Sequence, residues 1–186
     1  MMTTLLSIHH AFLSQYHSHV NTVVQYLARH PLNHHHTKIN GAETVFINQE
    51  VLRLFYRQYL SPTPISMTFN SLEKTIFHCI YMCHHDGFVR HNHLKEILKT
   101  THPAIATPFV IQLLGEYVLQ MHHEITLFVK THPTIVHQFI QHNPAFWHKQ
   151  KYRVISYWDC YYRNTYKHLK DYPLYQSILL IEHIHS

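Results

Sequence analysis

Glycine occurs only three times in 186 residues. Tight hairpins and barrel corners draw on glycine for turns at positive φ, so a chain this poor in it is steered away from a β-sandwich or barrel. Helices need glycine only at their ends, and an all-α reading follows. Proline supplies the punctuation: Pro31, Pro103, Pro133, Pro144 and Pro173 each fall where one apolar-periodic segment stops and the next begins. Proline suits a helix's first turn, where its missing N–H loses no partner.

Read with these marks, the chain predicts about seven helices. The first runs from Thr3 to Arg29, with Leu6, Phe12, Leu13, Tyr16, Val20, Val23, Val24 and Leu27 at helical spacing. His30 to Ala42 reads as a polar loop, and a second helix covers Asn48 to Tyr59. Asn70 or Ser71 caps a third, with Glu73 and Lys74 in its first turn. It ends at His84-His85-Asp86-Gly87, and a fourth starts at once. The fifth runs from Pro108 to Lys130, with a short segment Pro133–His142 behind it. The sixth covers Ala145–Asn164 and the seventh Pro173–Ile184. A strand is the competing reading of Thr44–Ile47 and Tyr152–Tyr157, where β-branched residues and Tyr gather; helical periodicity on both sides outweighs it.

The organisation expected is one helical domain over 1–186. Within it lie an N-terminal helical part (1–60), a repeat-like core (71–142) and an aromatic, basic C-terminal part (145–186). Apolar residues make up 46%, enough for a real core without disulfide or metal staples. The cysteines, Cys79, Cys83 and Cys160, are odd in number and follow no disulfide framework. No run of about eighteen apolar residues occurs, so no membrane span or membrane partner is expected. A soluble, reducing, cytoplasmic setting is the expectation.

Asp86-Gly87-Phe88-Val89-Arg90, followed by Leu94, Ile97 and Leu98, resembles the HEAT repeat, a relative of the armadillo-type helical repeat. In that pattern an Asp in the hairpin turn precedes a Val-Arg pair that opens the second helix. The resemblance implies antiparallel helical hairpins stacked as a short α-solenoid. It makes Asp86 the turn residue, Val89 a core contact and Arg90 a ladder residue against the neighbouring turn. Pro108-Phe109 with Leu113-Leu114 then looks like the first helix of the following unit. Scaffolds of this kind carry surfaces and no inherent reaction.

Two constellations compete for function. From Phe146 to Tyr175 aromatic residues alternate with Lys and Arg. Such a mixture suits a protein interface, where Tyr, Trp and Arg dominate the binding energy. It also suits nucleic acid, where basic groups meet phosphates and rings stack on bases. The face expected to bind is Trp147, Lys151, Arg153, Tyr161, Tyr162, Arg163 and Lys167. The net charge of +5, with 23 histidines able to add to it below pH ~6.5, agrees with an acidic partner. The second constellation is His78-Cys79-x-x-x-Cys83-His84-His85. Two thiols at i, i+4 share a helix face, and with His84 and His122 they compose an alternative zinc set, Cys79, Cys83, His84 and His122. The competing reading makes both cysteines ordinary core residues.

Catalytic signatures are missing. Three scattered glycines build neither a P-loop nor a dinucleotide fingerprint, and His123-Glu124 lacks the second histidine of a metalloprotease helix. Cys160 would need a base such as His168 to act as a nucleophile. The functional expectation is therefore a non-enzymatic helical scaffold without cofactor that binds a protein, as an inhibitor, immunity factor or adaptor does. A zinc protein or zinc-dependent enzyme is the alternative, and a nucleic-acid binder the second.

Overall fold

The computed structural model describes residues 7–30, 33, 39–116 and 118–183. The Thr3 start of the first expected helix, the His34-His35-His36 cluster and the Ile184 end of the last lie outside them. The chain divides into two compact units, Met1–Ala106 and Thr107–Ser186. Among the described residues there are eight α-helices and one two-stranded antiparallel sheet. The molecule is thus mostly helical, and the sheet corrects the all-α expectation.

In the first unit, α1 spans His17–Arg29. Two 3-10 turns, Ser7–Ala11 and Ser14–Tyr16, stand where the sequence periodicity implies more helix. The interruption has a tertiary cause. Leu13 is extended (φ −58°, ψ 145°), and the Ser14 main-chain N–H and hydroxyl both donate to the Glu50 carboxylate at 2.9 Å. A short polar side chain engaged in this way competes with helix propagation. From Val20 onward the expected stripe holds: Val20, Val23, Val24 and Leu27 are buried.

β1 (Ile39–Ile47) and β2 (Glu50–Gln58) form a hairpin in which Val45 faces Leu52 and Glu43 faces Leu54. The helix expected over Asn48–Tyr59 is therefore a turn and a strand. Val51, Leu52, Phe55, Tyr56 and Tyr59 also fit helical spacing, but the burial alternates along the first half: Leu52 and Leu54 are inside, while Val51 and Arg53 are outside. The two-residue turn is Asn48-Gln49, both at positive φ (48° and 68°), the mirror-image geometry that matches strand twist. Gly41, at φ +61°, lies against the Tyr56 ring; a Cβ there would come within 2.6 Å of it. The Tyr56 hydroxyl donates to the Glu43 carboxylate across the sheet.

α2 (Ser71–Tyr81) starts on a full capping box. The Asn70 side chain accepts from the Glu73 N–H at 2.9 Å, and the Glu73 carboxylate accepts from the Asn70 N–H at 3.0 Å. α3 (Gly87–Ile97) starts on Asp86, whose carboxylate accepts the Phe88 N–H at 2.7 Å. The turn between them is stitched to the end of β2: Gln58 N–H donates to Cys83 O at 2.8 Å and His85 N–H to Gln58 O at 3.0 Å. The core of this unit gathers Ile8, Val20, Leu27, Leu54, Leu60, Ile76, Phe77, Ile80, Leu94 and Ile97.

α4 (Pro103–Leu114) runs through the boundary of the two units and contains Pro108. The single helix expected over Pro108–Lys130 is thus two pieces. α4 stops at Gly115-Glu116, where i→i+3 bonds close its last turn, and α5 (His122–Thr131) begins after a 3-10 turn at Leu119–Met121.

The second unit continues with α6 (Pro133–His142), α7 (Pro144–Tyr157) and α8 (Pro173–His183). The prolines stand at the helix starts, as their position in the sequence implies. A single non-helical residue separates α5 from α6 (His132) and α6 from α7 (Asn143). Tyr152–Tyr157, where a strand competed, is the end of α7. Ile125, Phe128, Val129, Val136, Val154, Tyr172, Leu174, Ile178 and Ile181 build the core, and Thr126 meets Ser177 by a 2.7 Å hydroxyl contact between α5 and α8.

Candidate functional site

α7 reads Pro-Ala-Phe-Trp-His-Lys-Gln-Lys-Tyr-Arg-Val-Ile-Ser-Tyr, with no acidic residue in four turns. Its inner face is Phe146, Trp147, Gln150 and Val154, all buried. Its outer face recurs at i, i+3, i+4 and i+7: Ala145, His148, Lys149, Tyr152, Arg153 and Ser156 line a shallow concavity of about 480 Å³. Tyr152 is 70% exposed there.

Past Tyr157 the helix widens into a π turn, Trp158–Tyr162. Such single turns are rare and recur at functional sites. On it Tyr161 is 69% exposed, with its ring 6.0 Å from that of Tyr157. The loop that follows is held by the Trp158 indole N–H, which donates to Tyr166 O at 2.9 Å. Arg163 lies over the Trp158 ring at 5.8 Å and pairs with Asp159 at 3.0 Å. Tyr162 stacks on the buried Tyr172 at 5.2 Å, and burial pushes the Tyr172 phenol well above its ordinary range.

The seven residues expected to bind separate into three groups. Tyr161, Arg163 and Lys167 are exposed, and Lys151, Arg153 and Tyr162 are half-buried. Lys151 is tied to Glu182 of α8 at 2.6 Å. Trp147 is 6% exposed and belongs to the core. His148, Lys149, Tyr152 and Ser156 are the surface residues that the expected set lacks. Their signal was present in the sequence as the helical stripe opposite Phe146, Trp147, Gln150 and Val154.

The zinc alternative finds its residues in different surroundings. Cys79 and Cys83 are buried, and burial, aided by Cys83, pushes the Cys79 thiol up. His84 has both ring nitrogens engaged with main chain: Nε2 with Leu60 O at 2.8 Å and Nδ1 with the Asp86 N–H at 3.0 Å. His122 is in the second unit, its Nδ1 3.2 Å from Leu119 O. Among the described residues no three His, Cys, Asp or Glu side chains are grouped so as to hold a metal ion.

At the turn between α2 and α3, Asp86 caps α3, Val89 is half-buried and Arg90 is 1% exposed. The Arg90 guanidinium donates through Nη1 to the carbonyls of His84 and His85 at 2.6 and 3.0 Å. Cys160 is an exposed free thiol. No described helix is long and apolar enough to cross a membrane. No family model, curated protein or solved structure matches the chain.

Proposed function

We propose that the protein is a non-enzymatic, helix-built binding module that engages a protein partner through the outer face of α7 and the π turn behind it. One observation carries this reading: two tyrosines, Tyr152 and Tyr161, stand about seven-tenths exposed on an acid-free basic helix and its continuation. Large aromatics with that exposure supply contact area at a low cost in side-chain entropy. His148, Lys149 and Arg153 beside them favour an acidic partner segment. The capped turn at Asp86 and the buried Arg90 support keeping the helical-repeat resemblance as part of the proposal for residues 84–98.

Capture from the source cell with purified protein tests the reading. Wild-type protein should retain a specific partner, and the Tyr152→Ala/Tyr161→Ala double variant should lose it at least tenfold with its melting temperature unchanged. Equal capture by both proteins would refute the assignment. So would tight, steeply salt-dependent binding of a single-stranded oligonucleotide that the same double variant abolishes, because the face would then serve nucleic acid.

A further inference from the structure

His78 stands in the last turn of α2 and His93 in the middle of α3, and across the Asp86 turn these two side chains meet. Their Nδ1 atoms are 2.8 Å apart and their ring centroids 5.0 Å apart. Two nitrogens at that distance share one hydrogen, so one ring donates and the other accepts. Both residues are half-buried, which leaves the pair open to water. Neither ring is loosely placed. His93 stacks on Tyr81 (4.7 Å, 15°), whose hydroxyl donates to Ser61 O at 2.7 Å. The Phe77 ring lies 5.7 Å from each histidine ring.

Two imidazole nitrogens brought together from neighbouring helices make a chelate, and their spacing decides which ion it suits. Two metal–nitrogen bonds of ~2.0 Å span ~2.8 Å when they meet at a right angle and ~3.3 Å at the tetrahedral angle. The 2.8 Å between His78 and His93 matches the right angle of square-planar or octahedral nickel(II) and copper(II) and is short for tetrahedral zinc. The ion then lies to one side of the line joining the nitrogens, reached by tilting the rings about χ2, a soft torsion in histidine. The C-terminal end of a helix carries partial negative charge, so the last turn of α2 favours a cation. Of the charged side chains, Glu96, one turn beyond His93, acts most strongly on His78; it is opposed by Lys99, to which it is bound at 2.8 Å, and by Lys74. Burial keeps both rings neutral at pH 7. No proton therefore has to leave the protein. The hydrogen on the donating Nδ1 passes to Nε2 of the same ring, and both Nδ1 lone pairs come free.

We propose that His78 and His93 form a two-histidine chelate for nickel(II) or copper(II), bound through the two Nδ1 atoms with water in its remaining positions. The site shares no residue with the set Cys79, Cys83, His84 and His122. With two protein donors and open positions it is an exchangeable site, unlike a closed structural one. The bound ion clips α2 to α3. Because the two donors come from different helices and are 15 residues apart in sequence, the folded chain binds the ion better than the unfolded one, and binding stabilises the first unit.

Thermal unfolding of the full chain with and without nickel(II) tests the site; nickel is the probe because copper(II) oxidises an exposed thiol such as Cys160. At neutral pH a millimolar excess of nickel(II) should raise the melting temperature by ~3 °C or more, and zinc(II) at the same concentration by less than half as much. Histidines that hold the ion equally well in the folded and unfolded chain add nothing to this shift. His93→Phe keeps a ring on Tyr81 and removes one donor; its nickel shift should be at least threefold smaller. No shift in the wild type, an equal shift with zinc, or an undiminished shift in His93→Phe overturns the proposal. Should that variant not fold, NMR of the wild type decides. Nickel(II) below one equivalent should perturb the ring signals of His78, His93 and Tyr81 before those of any other histidine. Earlier perturbation elsewhere would refute the chelate.

Discussion

A Cβ at position 115 would sit 2.1 Å from Gln150 Oε1 and 2.9 Å from Arg153 Cδ. Gln150 is fully buried, so its amide can give way only by displacing packed neighbours. Gly115→Ala should therefore destabilise by about 1–3 kcal/mol, the usual cost of overfilling a packed site. Combined with Gln150→Ala the loss should be less than the sum of the two single losses, because the closest clash is with that side chain. Equilibrium unfolding of the two single variants and the double variant measures the coupling, and strict additivity would argue against the contact. The cysteines make a second case at this scale. Cys160 is exposed while Cys79 and Cys83 are buried, and burial keeps the Cys79 thiol from ionising. One thiol of the three should react promptly with a disulfide reagent in native protein, and the other two only after unfolding. Prompt reaction of two or three would contradict the burial.

At the scale of elements, the hairpin is the informative one. Its turn, Asn48-Gln49, is an Asn-Gly turn without the glycine, and Gln49 sits at φ 68°. The strongest sequence signal for a two-residue hairpin was thus absent, and β2's apolar residues satisfied a helical spacing by coincidence. Gln49→Gly should stabilise the protein by roughly 0.5–1 kcal/mol by relieving the left-handed strain; a loss of stability in thermal unfolding would refute that account. The helices were easier to read. Proline marked the starts of α6, α7 and α8, and Asn70-x-x-Glu73 announced the start of α2. Two breaks were not legible. Ser14 leaves the helical ladder for Glu50, a residue 36 positions away, and at the end of α4 the stop signal of Gly115 is masked by apolar residues that resume helical spacing beyond it. The exposure of the residues proposed to bind was legible in part. Tyr161, Arg163 and Lys167 are where an aromatic and basic composition implies. Trp147 is inside because its helix turns it towards Val154's side, whereas composition is blind to direction.

At the scale of the whole molecule, pH is the variable to which this chain is most exposed. His93 is held near 3 when folded, against about 6.5 when unfolded. Its contribution to stability is complete above pH ~6.5 and declines as pH falls through the interval to about 3, below which both states are protonated. Between pH 6.5 and 4.5 this one residue removes roughly 2–3 kcal/mol, and His78 and His84 act in the same direction. The denaturant midpoint should fall steeply over that range. In the His93→Phe variant the slope should be shallower. A midpoint independent of pH would exclude buried neutral histidines.

Both tryptophans, Trp147 and Trp158, belong to the Thr107–Ser186 unit, whereas the two shielded thiols, Cys79 and Cys83, belong to Met1–Ala106. Indole emission therefore reports on one unit and slow thiol labelling on the other, without any label being introduced. A titration followed by fluorescence alone would register the histidine chemistry of the first unit only so far as the second responds to it. Followed by both signals, the native chain reveals whether its two units lose their structure at the same acidity.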